Sequence, residues 1–100
     1  MTKLYIDDER FPKGDGFVVV RSYTDALEYM TVMGCSKYIS FDHDLGDDGT
    51  GFDVVKWIVE RDLDSGGEFI PENFQYNVHS ANPVGRANIE GYLKCYLRNR

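Results

Sequence analysis

The sequence predicts an α/β fold on a mainly parallel, four-stranded sheet, and three observations predict it. Short runs rich in β-branched and aromatic residues alternate with segments of helical period. Two of those helical segments lie between strand runs and are long enough to cross from one parallel strand to the next. The 100 residues, 42% of them hydrophobic, suffice for one core and not for two. The chain is therefore read as one domain, residues 1–100, with the order β-β-α-β-α-β-α.

Leu4-Tyr5-Ile6 and Phe17-Val18-Val19-Val20 are apolar runs bounded by Asp, Gly and Pro, and both predict buried strands. The polar stretch 7–16 between them is about the shortest crossover a parallel pair allows and carries no amphipathic helix, so their pairing stays open. Ala26, Leu27, Met30 and Met33 recur at three- and four-residue steps after Tyr23, which predicts a helix over Tyr23–Met33 capped by Ser22 or Thr24 and ended by Gly34. Tyr38–Phe41 is the third strand. Residues 52–63 form a second helix with Phe52, Val55, Ile58, Val59 and Asp62 on one face, stopping before Gly66-Gly67. A connector, a fourth strand over 74–78 and a last helix from Pro83, with Ile89, Leu93, Tyr96 and Leu97 inward, complete the chain.

Seventeen Asp and Glu against eleven Lys and Arg give a formal charge of -6. Long-range attraction to an extended nucleic-acid duplex or to an anionic membrane is excluded by that balance. No apolar run approaches a membrane span and the start is not a secretory signal, so a cytoplasmic location is expected. Cys35 and Cys95 lack metal-site spacing and are expected to be buried thiols.

In an open parallel sheet the functional crevice lies beyond the carboxyl ends of the strands. Strand one exits into Asp7-Asp8-Glu9-Arg10, strand three into Asp42-His43-Asp44-Leu45-Gly46 and strand four into His79-Ser80-Ala81-Asn82-Pro83. Carboxylates so gathered repel one another unless a cation neutralises them, and short Asp oxygens suit Mg²⁺. The loop 46–51 lacks the spacing of a calcium-binding EF-hand; its glycines turn the backbone into the second helix, with Asp47 and Asp48 exposed or near that helix's positive end. Strand alternation puts Asp42 and Asp44 on one side and His43 on the other, and lets only one of His79 and Ser80 face the crevice. Asn82-Pro83-Val84-Gly85-Arg86 opens the last helix as a cap and offers a phosphate cradle, while Arg10 reaches either phosphate or a carboxylate.

These residues resemble the receiver domains of two-component signalling: Asp7 and Asp8 match the acidic pair, Asp42 or Asp44 the phosphate-accepting aspartate, and Ser80 the hydroxyl position. The lysine-bearing fifth strand and the helix between strands one and two are missing, which puts phosphorylation as a signalling receiver in doubt. A closer resemblance is to cyclic-phosphate processing receiver domains, through Asp7-Asp8-Glu9-Arg10 with Pro12, Ser40-Phe41-Asp42-His43-Asp44-Leu45-Gly46, and Val78-His79-Ser80-Ala81-Asn82-Pro83 with Gly85, Asn88 and Ile89. It implies a compact receiver-like (flavodoxin-like), three-layer fold, truncated relative to full receivers. It also implies handling of cyclic phosphates on RNA ends or nucleotides.

The leading expectation is a Mg²⁺-assisted phosphoesterase acting on cyclic phosphate. Asp7, Asp8 and Asp42 hold the metal, Asp44 acts as base, nucleophile or ligand-orienting group, and His43 or His79 acts as acid or base. Arg10, Ser80, Asn82 and Arg86 contact phosphate, and the partner is a phosphorylated small molecule or RNA end. The alternative expectation is a non-catalytic receiver-like binding or signalling module for a phosphorylated ligand or a partner protein.

Overall fold

The computed structural model describes residues 3–46 and 48–100; the expectation for Asp47 lies outside them. Four strands, β1 (Lys3–Ile6), β2 (Phe17–Val20), β3 (Tyr38–Phe41) and β4 (Gln75–Val78), form one sheet in the order β2-β1-β3-β4, with every pair parallel. Three helices follow the expected order: α1 (Tyr23–Met33), α2 (Gly51–Asp64) and α3 (Pro83–Asn99). The open question of the first two strands is answered by direct parallel pairing of Lys3 with Phe17 through Ile6 with Val20. Ten residues without a helix therefore serve as the crossover.

The expected third layer is absent among the described residues. From β2 to β3 and from β3 to β4 the chain steps in the same direction across the sheet, and right-handed crossovers moving one way put their helices on one face. α2 accordingly packs against both α1 and α3. The β1-to-β2 step runs the other way, and a helix there would have covered the second face. The parallel receiver-like sheet is thus present as a two-layer sandwich.

Alternation along the strands follows from that. Leu4, Ile6, Val20, Ile39, Phe41 and Val78 point into the helical layer and are buried, joined by Ala26, Met30, Val54, Val55, Ile58, Ile89 and Leu93 in one core. Tyr5, Phe17, Tyr38 and Asn77 occupy the other face and stay partly or fully exposed.

Ser22 caps α1 by accepting from the Asp25 N–H, and a reciprocal Thr50–Asp53 capping box starts α2. Asn82 caps α3, with Pro83 at its first position. Asp48 is exposed as expected, but it accepts from the Thr24 N–H at 3.0 Å and so serves the first turn of α1. Two inward assignments are corrected: Met33 at the end of α1 is 63% exposed, and Cys95 on α3 is exposed because it lies off the buried Ile89–Leu93 stripe. Cys35 is a largely buried free thiol, pushed up to about 12 by burial and by Asp62. Among the described residues no helix is long and apolar enough to cross a membrane.

Candidate active site

The parallel register brings three strand exits side by side. Ile6, Phe41 and Val78 are aligned across β1, β3 and β4, so Asp7, Asp42 and His79 follow in one row. One ligand atom from each lies within 4.8 Å of the other two. Asp7 and Asp42 are buried.

Asp7 is held from several sides. Its Oδ1 accepts the N–H groups of Glu9 and Arg10, both at 2.9 Å. Its Oδ2 accepts from Arg10 Nε at 2.9 Å and from His79 Nε2 at 3.0 Å. Burial alone would raise this carboxyl, but the two backbone donors, His79 and the guanidinium outweigh it and hold it below the ordinary carboxylate range. A carboxylate can only accept, so His79 carries its proton on Nε2, and Ser40 donates its hydroxyl to Nδ1 at 2.7 Å. The amide of Asn77 in turn donates to Ser40 Oγ at 3.4 Å. Burial lowers the His79 pKa from its usual value against the opposing pull of Asp7 and Asp42, which favours the neutral ring. Tyr5 stacks on that ring with centroids 4.4 Å apart and planes 4° from parallel.

Arg10 is the built-in counter-charge, reaching Asp42 Oδ2 at 3.6 Å as well as Asp7. Its turn is clamped from β2: Arg21 Nη1 donates to the carbonyls of Asp7 at 3.1 Å and Arg10 at 2.7 Å. The open cleft above, about 280 Å³, is lined by Asp7, Asp8, Glu9, Arg10, Asp42, Asp44 and Ala81. Five carboxylates therefore face one guanidinium. That imbalance leaves room for a further cation.

Alternation separates the residues after β3. Asp42 enters the row, whereas His43 turns toward the start of α3, where a Cβ at Gly85 would overlap its ring. His43 Nδ1 still reaches back to Asp44 Oδ1 at 3.1 Å, and Asp44 lines the cleft. A Cβ at Gly51 would run into the Asp42 carbonyl, so the first residue of α2 must be glycine for the helix to approach this closely.

The structure thus brings Asp7, Asp8, Asp42, Asp44 and Arg10 to one cleft, with His79 touching Asp7 in its wall. It does not bring in the side chains of Ser80, Asn82 and Arg86. Ser80 Oγ accepts from the Asn82 N–H at 3.0 Å, Asn82 Oδ1 is taken up capping Gly85, and Arg86 pairs with Glu90 at 3.4 Å along exposed α3. The sequence reading assigned no role to Ser40, Tyr5 and Arg21. Parity was the available signal for the first two, because Tyr5 and Ser40 stand two residues before Asp7 and Asp42 and share their face.

The three donor atoms are compatible with a divalent ion. Around an octahedral Mg²⁺ neighbouring oxygens stand about 3.0 Å apart and opposed ones about 4.2 Å, and of three ligands only one pair can be opposed. The cluster, whose atoms lie within 4.8 Å of one another, would have to close by roughly 1 Å or more, with a shift of Arg10 and, for ligation by His79, loss of its Nε2 proton. Asp7, Asp42 and, through water, Asp8 are the oxygen donors Mg²⁺ prefers, while a His79 ligand would move preference toward Mn²⁺ or Zn²⁺.

The family model described as "Cyclic-phosphate processing Receiver domain" matches residues 2–95. No curated protein and no solved structure gives a match.

Proposed function

Because the chain belongs to the cyclic-phosphate processing receiver domain family, we propose that it is a divalent-cation-assisted phosphoesterase that opens a cyclic phosphate. The observation that carries this reading is the row of Asp7, Asp42 and His79 at three adjacent strand ends, with their ligand atoms within 4.8 Å and Arg10 among them.

Asp7 and Asp42 would hold Mg²⁺, with Asp8 acting through water. The bound ion would polarise a phosphoryl oxygen and offset the carboxylates. Arg10 leaves its carboxylates for the phosphoryl oxygens, which a planar guanidinium engages in pairs. Water adds to phosphorus, one ring P–O bond breaks, and a phosphomonoester results. Asp44 takes the proton of the attacking water and is oriented by His43. His79, kept in register by Ser40 and Asp7, would enter the step protonated on both nitrogens with the Ser40 hydroxyl turned to accept at Nδ1, give one proton to the departing oxygen and return to the neutral ring that burial favours.

Incubation with a 2′,3′-cyclic nucleotide in Mg²⁺, Mn²⁺ or EDTA tests the proposal. Metal-dependent turnover is expected, falling about a hundredfold or more in Asp42→Asn and His79→Gln. One observation favours a second reading, a phosphate-binding module without catalysis: Arg10 already neutralises part of the acidic row without metal. Retained nucleotide binding with no turnover under any metal selects that reading.

A further inference from the structure

The sheet face that no helix covers among the described residues runs into the cleft, and its composition differs from the rest of the molecule. In a chain with 17 Asp and Glu, none of the strand positions pointing to this face carries a carboxylate. What stands there is an aromatic group with polar amides beside it. Tyr5 and Phe17 meet edge to face at 5.8 Å, Phe17 and Tyr38 at 6.1 Å, and Lys3 Nζ lies 4.5 Å over the Phe17 ring. Asn77, on the neighbouring strand, is exposed.

We propose that this face is a base-stacking subsite: Tyr5, Phe17 and Tyr38 hold the nucleobase of a ligand whose phosphate lies in the cleft. The inference rests on the cyclic-phosphate reading of that cleft and adds the part of the ligand that reading leaves open. Tyr5 is two residues upstream of Asp7, about 6.6 Å along the strand. A ribose carrying phosphate at one end and base at the other spans the step to Tyr5. Phe17 and Tyr38 pair with Lys3, two residues further back, and stand where the far edge of a purine on Tyr5 would end, the Phe17 ring 5.8 Å from that of Tyr5. The Tyr5–His79 stack, at 4° between planes, already places an aromatic ring parallel to a group of the acidic row.

Charge favours this occupant. The group that meets this face is an uncharged base, for which a face free of strand carboxylates carries no desolvation penalty of buried charge, while Lys3 lies over the Phe17 ring as part of the aromatic group. Composition favours a small ligand over a second copy in one respect: Lys3, Ser40, Gln75 and Asn77 make half of the outward strand positions polar, whereas the core of a stable self-interface is predominantly apolar. Aromatic rings interspersed with amides and a cation are what sequence-tolerant base stacking uses.

Calorimetric titration with adenosine 2′,3′-cyclic phosphate and with the base-free methyl riboside 2′,3′-cyclic phosphate tests the subsite. The nucleotide is expected to bind about ten- to a hundredfold more tightly. Tyr38→Ala should erase that advantage while leaving the base-free ligand's affinity unchanged, and Tyr38→Trp should retain it. The base-free ligand also reports on folding of the variants. Equal affinity of the wild-type protein for both ligands overturns the subsite and leaves the cleft reading standing. Binding of neither ligand overturns the cleft reading and this one with it. A dimer that Tyr38→Glu dissociates also overturns the proposal, because the face would then be an interface between copies.

Discussion

At the residue scale, the most constrained side chain outside the cleft is Asp62. The sequence placed it on the inward face of a helix, an unusual position for a carboxylate, and the reason becomes visible only in three dimensions. Its oxygens accept from the Ile70 N–H at 2.8 Å, the Tyr96 hydroxyl at 2.7 Å and Arg100 Nη1 at 3.2 Å. Burial would raise this carboxyl, but those donors outweigh it and hold it below the usual range. The folded-state pKa is depressed, so its stabilising contribution is present above the unfolded value and is lost as pH falls through the folded one. Asp62→Ala removes the acceptor of the Ile70 N–H and the Tyr96 hydroxyl and leaves Arg100, still bonded to the Ile70 and Pro71 carbonyls, without its counter-charge, and should cost about 2–4 kcal/mol in urea unfolding at pH 7. The loss should shrink below about pH 4, where the wild-type protein gives up the same interaction. An equal deficit at pH 3 and pH 7 would contradict this assignment. Partners 8 to 38 residues away leave no local pattern in the sequence, which is why the site was legible as an anomaly and not as a lock.

At the scale of elements, period and punctuation made every strand and helix legible, with ends displaced by a residue or so, as α2 beginning at Gly51 and β4 at Gln75 show. The number of layers was not legible. It depends on the direction in which each crossover steps, and the helix-free 7–16 segment gives no periodicity from which to read that. How α2 and α3 begin decides the site. Gly85 admits the His43 ring at the start of α3, so Gly85→Ala should destabilise the fold by about 1–3 kcal/mol. A melting temperature unchanged from the wild type would show that the ring is not seated there. The clamp from β2 is separable from packing. Arg21→Ala should speed amide hydrogen exchange at Glu9 and Arg10 while leaving the β1 and β3 amides protected. Uniform loss of protection would make Arg21 a general stabilising residue instead.

At the scale of the whole molecule, two facts act together. A parallel sheet gathers the exits of β1, β3 and β4 at one edge, and the chain's acidic excess is concentrated there instead of being spread over the surface. Strand order made the gathering legible, since any receiver-like order puts β1 beside β3. The choice of groups was only partly legible. Asp8 was expected as a ligand beside Asp7, yet backbone alternation leaves it exposed on the cleft wall and puts His79 nearer the pair. Of the four residues expected to contact phosphate only Arg10 lines the cleft, while Ser80, Asn82 and Arg86 make their hydrogen bonds within the turn and helix that carry them.

The central claim is that this row of buried acids takes up a divalent cation, and thermal unfolding against metal concentration tests it most directly. Metal binding only the folded state at ten times its dissociation constant adds about 1.4 kcal/mol. In a chain of this length that raises the melting temperature by about 5–10 °C. The account predicts a saturable rise with Mg²⁺ or Mn²⁺ in the wild-type protein and none in Asp42→Asn. A melting temperature indifferent to millimolar metal, or one that rises equally in Asp42→Asn, would contradict it.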